Sequence, residues 1–213
     1  MGAYNILIAF LISGSLLAYV VMRYKELPSD MALQFDFYGE PKYGWSKNWL
    51  SLFPLLSLII GILFNYLPAW YPLKKHSSIF LQGFALYSIL IQLFICYITI
   101  LLVQWNIGKD FFIFHLLFPA IGALLIFTGL IEHISVPNQY VGIRTKWTQE
   151  NEENWKRINK KGAIVMYVAG GLFIIGPSTN KWVAIGGIVI LLVGLIGLLL
   201  YCYVKGKNSV KTE

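Results

Sequence analysis

Residues 182–204 read WVAIGGIVILLVGLIGLLLYCYV, a run without a single charged side chain. At a rise of about 1.5 Å per residue, a helix of that length exceeds the roughly 30 Å of hydrocarbon in a bilayer. The apolar residues are continuous rather than alternating, which selects a helix over a barrel strand. Five further runs satisfy the same test: about Tyr4–Met22, Trp49–Tyr66, Ser78–Val103, Phe111–Ile131 and Ala163–Gly176, the last short and closed by Pro177. The sequence therefore specifies an all-α integral membrane protein. Its six transmembrane helices are expected to form one compact bundle, a single membrane domain over 1–213. Two loops are long enough to carry function, 23–48 and 132–162. Composition agrees: 57% of the 213 residues are hydrophobic and 13% charged, against roughly 45–50% and 25% in soluble domains. A soluble nucleotide-binding enzyme, a disulfide-stapled secreted domain and a disordered tail protein are excluded.

The net charge is +7. In a membrane protein such an excess marks cytoplasmic loops rather than nucleic-acid binding. Eleven Lys and Arg fall on the side that holds both termini, Lys74, Lys75 and loop 132–162, against six on the other side. Both termini are thus expected to be cytoplasmic, with loop 23–48 outside and loop 132–162 inside. Trp45, Trp49, Trp70, Tyr71, Trp105 and Trp182 sit at span ends, as interfacial anchors do. The first span has no preceding Lys or Arg and no small-x-small cleavage site, so it reads as a retained span rather than a signal peptide.

Pro54 and Pro119 each remove a backbone donor and are expected to kink their helices. Gly162, Ala169 and Gly176 in the fifth span, and Ala184, Gly187 and Gly194 in the sixth, form small-residue stripes. These suit close packing of the two spans on each other, or a homodimer face.

The outer loop carries Pro28, Gly39, Pro41 and Gly44 for turns, and the alternation Leu33, Phe35, Phe37 for a short extended segment. In the inner loop Thr148 is a candidate N-cap. It would open a short surface helix with Glu150, Glu152 and Glu153 first and Lys156, Arg157, Lys160 and Lys161 last. Trp155 and Ile158 would seat that helix. Glu132 is expected to pair with Arg144 or Lys161, and His115 to hydrogen-bond between helices.

Together the loops resemble those of the SdpI family of bacterial membrane proteins. The outer pattern matches at Leu27, Pro28, Gly39, Pro41, Ser46 and Lys47. The inner pattern matches at Asn138, Gly142, Arg144, Thr145, Trp147, Thr148 and Trp155. Gln34, Asp36 and Lys42 stand where the family has His, Asn and Asp, and Lys146 where it has Pro. Gln34 does not titrate, so metal or proton chemistry in that loop is not expected.

The resemblance implies immunity: protection of the producing cell from a membrane-active peptide toxin. It further implies signalling, by holding a cytoplasmic repressor at the membrane. On this reading the outer-loop contacts are Leu27, Pro28, Phe35, Phe37, Tyr38, Gly39, Pro41, Lys42, Tyr43, Trp45 and Lys47. Loop 132–162, with Trp147 and Trp155 exposed, would recruit the regulator. The location is the bacterial cell membrane and the partners are the bilayer, the toxin and that regulator, with no nucleic acid.

No zinc-protease, serine-hydrolase or phosphate-loop motif occurs, and Cys96, Cys202 and three dispersed His lack zinc spacing. Neither catalysis, a cofactor nor a metal is expected. A lipid or small-molecule transporter, or an intramembrane enzyme, built on Gln92, His115 and Thr128, is the remaining alternative. An anionic headgroup at Arg144, Thr145 and Thr148 is a further reading of the inner loop.

Overall fold

Continuous apolar runs leave their backbone no partner but itself in lipid, and helices follow. The computed structural model describes residues 3–36, 39–70, 78–109, 111–179 and 181–209. Six long helices occur there: α1 (Ala3–Arg23), α2 (Leu52–Trp70), α3 (Ser78–Asn106), α4 (Ile113–Ile134), α6 (Glu152–Thr179) and α7 (Lys181–Ser209). All six are long and apolar enough to cross a membrane. A short α5 (Lys146–Glu150) lies between α4 and α6, and a 3-10 helix (Lys47–Ser51) leads into α2. Lys74, Lys75, Tyr71 and Lys211 of the charge and anchor patterns, and Phe37 and Tyr38 of the outer loop, lie outside the described residues.

The fifth span departs most from expectation. It starts at Glu152 rather than near Ala163, so the surface helix and the span are one helix. Its cap is Asn151, whose Oδ1 accepts from Glu153 N (2.8 Å) and Asn154 N (3.1 Å). Glu152–Lys156 and Glu153–Arg157 pair at i,i+4 on the exposed side (2.8 and 2.7 Å), while Trp155, Ile158, Asn159 and Gly162 turn inward. The helix also passes through Pro177 to Thr179. So near its end, the proline removes one bond and does not stop the chain two residues earlier. Pro54 is the third residue of α2, directly after the 3-10 helix Lys47–Ser51.

The chain divides into two compact units, Met1–Pro72 with Phe84–Leu117 and Leu73–Gly83 with Phe118–Glu213. In the first, α2 meets α1 through Gly61, where a Cβ would lie 2.5 Å from Ala9 Cβ and 2.7 Å from Gln92 Oε1. Ser13 Oγ donates to Ser57 Oγ (3.1 Å), and buried Gln92 donates to Ser88 O (3.3 Å). His115 is not held between helices: it is exposed, and its ring meets Phe112 edge-on at 4.9 Å.

In the second unit the small-residue stripes do bring α6 and α7 together. A Cβ on Gly176 would lie 2.9 Å from Ala184 N, one on Gly187 3.2 Å from Ala169 O, and one on Gly194 2.7 Å from Val165. Gly162 instead faces the Glu132 carboxylate of α4. A second seam, not read from the sequence, joins α4 to α6: a Cβ on Gly122 would lie 2.5 Å from Gly170 O, and one on Gly129 3.1 Å from Ala163 O.

Candidate functional site

In the first unit, loop 23–48 folds as a hairpin. Strands β1 (Asp30–Met31) and β4 (Trp45–Ser46) pair antiparallel, as do β2 (Gln34–Phe35) and β3 (Pro41–Lys42) nearer the tip. The tip turns on Asp36, whose Oδ1 accepts from Glu40 N (2.9 Å), and on Gly39 at φ +84°. Only glycine takes that conformation easily, and a Cβ there would also strike Phe112. Gly44, at φ +113°, donates its N–H to Asp30 Oδ1 (2.7 Å).

Asn106, at the end of α3, pins the hairpin. Its Oδ1 accepts from Ala32 N and its Nδ2 donates to Ala32 O, both 2.9 Å. The amide thus takes the place of a neighbouring strand for Ala32. Met31 and Ala32 are buried, and Leu27 joins Val20, Met31, Leu50 and Val103 in a core cluster. Phe35 packs edge-on against Trp105 at 5.1 Å. Lys47 turns back onto its own loop, with Nζ 4.4 Å from the centre of the Tyr24 ring and 3.4 Å from Tyr24 O.

Pro28, Lys42 and Tyr43 are exposed, while Gly39, Pro41 and Trp45 are half-buried. Trp45 meets Trp49 edge-on at 5.5 Å. Both line an apolar groove of about 440 Å³ with Leu33, Phe53, Leu56 and Ile59. Trp49, Leu56 and Ile59 were not among the predicted contacts; they read as span residues because their hydrophobicity alone does not tell lipid-facing from groove-lining positions.

In the second unit, the inner-loop motif is a folding device. Asn138 closes a turn: its Oδ1 accepts from Tyr140 N (2.7 Å) and Val141 N (2.8 Å), and its Nδ2 donates to Val136 O (2.7 Å). Gly142 takes φ +105° and leaves room for Asn159, whose Oδ1 accepts from Ile143 N at 2.6 Å. The N-cap of α5 is Thr145 rather than Thr148. Thr148 sits three residues in and completes a reciprocal capping box: Thr145 N donates to Thr148 Oγ1 (2.9 Å) and Thr148 N to Thr145 Oγ1 (3.2 Å). Thr148 also donates to Ile143 O (2.9 Å).

Trp155 was expected to be exposed. It is fully buried, and its indole N–H donates to Ser135 O and Oγ, both at 3.1 Å. Trp147 is half-buried against Tyr201. Arg144 is exposed and donates to Gln139 O. Both threonines take part in the capping box, and Arg144 donates to a backbone carbonyl. Among the described residues the ion pairs are Arg23–Glu26, Lys146–Glu150, Glu152–Lys156 and Glu153–Arg157. The expected Glu132 pairing with Arg144 or Lys161 is absent from them. Buried Glu132 instead lies against Gly162, and Lys161 lies over the Tyr201 ring. Asn159 was missed: an Asn among charged residues on a surface helix gives no sign that it will be buried.

A model described as the SdpI/YfhL protein family matches residues 136–204, which begin at this motif and run through α7. The chain is also 26% identical over 210 residues to the immunity protein SdpI of Bacillus subtilis (strain 168), covering 96% of this chain and 98% of that protein. The resemblance to the SdpI family holds. The family model takes in the inner pattern, and the alignment to the relative spans nearly the whole chain, the outer loop included. Six helices long and apolar enough to cross a membrane fit a multi-pass membrane protein, and over nearly its whole length the chain is similar to SdpI. No solved structure matches it.

Proposed function

We propose that the chain protects a bacterium from a membrane-active peptide toxin, from the cell membrane and with both termini inside. The end-to-end similarity to an immunity protein carries the reading. The excess of Lys and Arg on the side of the termini supports the orientation. Loop 23–48 then faces outward as an extracytoplasmic hairpin. Its groove offers the toxin an apolar seat between Trp45, Trp49 and the start of α2. Tyr43 and Lys42 are exposed on the same hairpin and would extend the contact. Aromatic anchors of this kind supply most of the energy in recognition of an apolar segment.

A second reading adds signalling through loop 132–162. Lys156, Arg157, Lys160 and Lys161 are all exposed on the first turns of α6, where a cytoplasmic regulator would meet them. Trp155 takes no part, because it is buried.

The test is survival. The chain is expressed in a toxin-sensitive host and challenged with a panel of membrane-active bacterial peptides. Protection against one peptide, lost in the Trp45→Ser/Trp49→Ser double variant with membrane levels unchanged, is the expected result. No protection against any peptide, with the protein present in the membrane, overturns immunity for that panel. Protection that survives the double variant overturns the groove as the seat.

A further inference from the structure

A second groove lies in the other unit, where α5 meets the end of α7. It encloses about 400 Å³ and is lined by Thr145, Lys146, Trp147, Glu150, Cys202, Tyr203, Gly206 and Lys207. Gly206 forms part of its floor, where a Cβ would lie 3.3 Å from Trp147 Cβ, so the two elements touch without closing the cleft. Two lysines, Lys146 and Lys207, line the groove. Two more, Lys161 and Lys205, lie 5.5 and 5.9 Å from the ring of Tyr201, which meets Trp147 of the lining edge-on. Glu150 is the acid in the lining, and Lys146 offsets it at 3.8 Å. Among the described residues no ion pair neutralises Lys161, Lys205 or Lys207. Tyr203 of the lining is exposed, as are Leu199, Leu200 and Val204 on the same stretch of α7.

We infer that this groove holds an anionic phospholipid. The phosphate sits between Lys146 and Lys207, with Lys161 and Lys205 adding positive charge nearby around Tyr201, and the upper acyl chain runs down the exposed apolar face of α7. Charge and position select this occupant together. A soluble anion would use the lysines but gain nothing from Trp147, Cys202 and the adjoining apolar face. A neutral lipid would use the apolar face but leave the cation excess unanswered. A lysine beside an anionic lipid surface strengthens binding roughly fivefold.

Native mass spectrometry of the full chain in detergent tests this, with phosphatidylglycerol, phosphatidylethanolamine and phosphatidylcholine as probes. Phosphatidylglycerol is expected to bind preferentially. The preference falls roughly fivefold per lysine removed in Lys146→Gln/Lys207→Gln. It is retained in Lys146→Arg/Lys207→Arg and in Lys25→Gln, which lies in the other unit. Equal binding of the three lipids, an unchanged preference in the double Gln variant, or displacement by inorganic phosphate at equal concentration overturns the inference. A second measurement needs no charge variant. Phosphatidylglycerol brominated near the headgroup end of its chains quenches tryptophan fluorescence, and Trp147→Phe is expected to remove part of that quench. A quench unaffected by Trp147→Phe overturns it as well.

Discussion

Replacing Asn159 with Ala should release the inner loop from α6. Asn159 is buried, and its Oδ1 is the partner of the Ile143 N–H at 2.6 Å, with Ile143 itself buried. Its Nδ2 donates to Trp155 O at 3.0 Å, a carbonyl that already belongs to the helical ladder, so that bond adds little. The variant leaves one backbone donor buried without an acceptor, which costs about 1–3 kcal/mol. At the middle of that range, about 2 kcal/mol, local opening becomes roughly thirtyfold more frequent, since 1.4 kcal/mol is a factor of about ten. Amide hydrogen exchange of the full chain in detergent reads this directly. Segment 138–149 should exchange about thirtyfold faster, while hairpin 30–46 keeps its wild-type rate. Asn159→Asp retains the acceptor oxygen and should open the loop less than Ala does. Unchanged protection at 138–149, or an equal loss across both segments, would refute Asn159 as a local pin.

The same logic gives an opposite pattern for the other unit. Asn106→Leu removes both bonds to Ala32, and hairpin 30–46 should then exchange at least tenfold faster while 138–149 is unaffected. Gly170→Val drives a side chain into Gly122 O and Ile126, and should destabilise the second unit by about 1–3 kcal/mol, read as a lower midpoint of thermal aggregation in detergent. Gly142→Ala combines a positive φ with a clash at Asn159 and should lower that midpoint too, whereas Gly197→Ala, with open space at its Cβ, should not. Trp155→Phe removes the indole donor and leaves Ser135 O unanswered, with an expected cost of about 1–3 kcal/mol and faster exchange around Ser135.

The inner motif shows where a sequence pattern and its role part company. Asn138, Gly142, Thr145, Thr148 and Trp155 stand out in the sequence as a constellation, and a constellation in a loop suggests a binding surface. In the fold the same residues are consumed by a turn, a positive φ, a capping box and a buried indole. What they leave exposed is the lysine-rimmed cleft beside Trp147, whose parts lie some 60 residues apart in the chain between α5 and α7. The outer loop behaves alike. Leu27 and Lys47, matched to the family pattern, support the hairpin from below, while the groove draws on Trp49 and α2 residues that the pattern does not mention.

The sequence alone determined the six spans, because continuous hydrophobicity over about 20 residues is a local property that lipid converts directly into helix. It also marked small-residue stripes on one helical face of each span as packing surfaces, and the structure brings α6 and α7 together on Gly176, Gly187 and Gly194. It misplaced the start of α6, where the capping Asn151 and i,i+4 ion pairs carry the helix past the apolar limit. Only the tertiary structure decided which polar side chains are buried and what they hold. Asn106 meets Ala32 across 74 residues, Trp155 meets Ser135 across 20, and Glu132 lies beneath Gly162. Such pairings depend on which helix faces which, and periodicity within one segment carries no record of its neighbour.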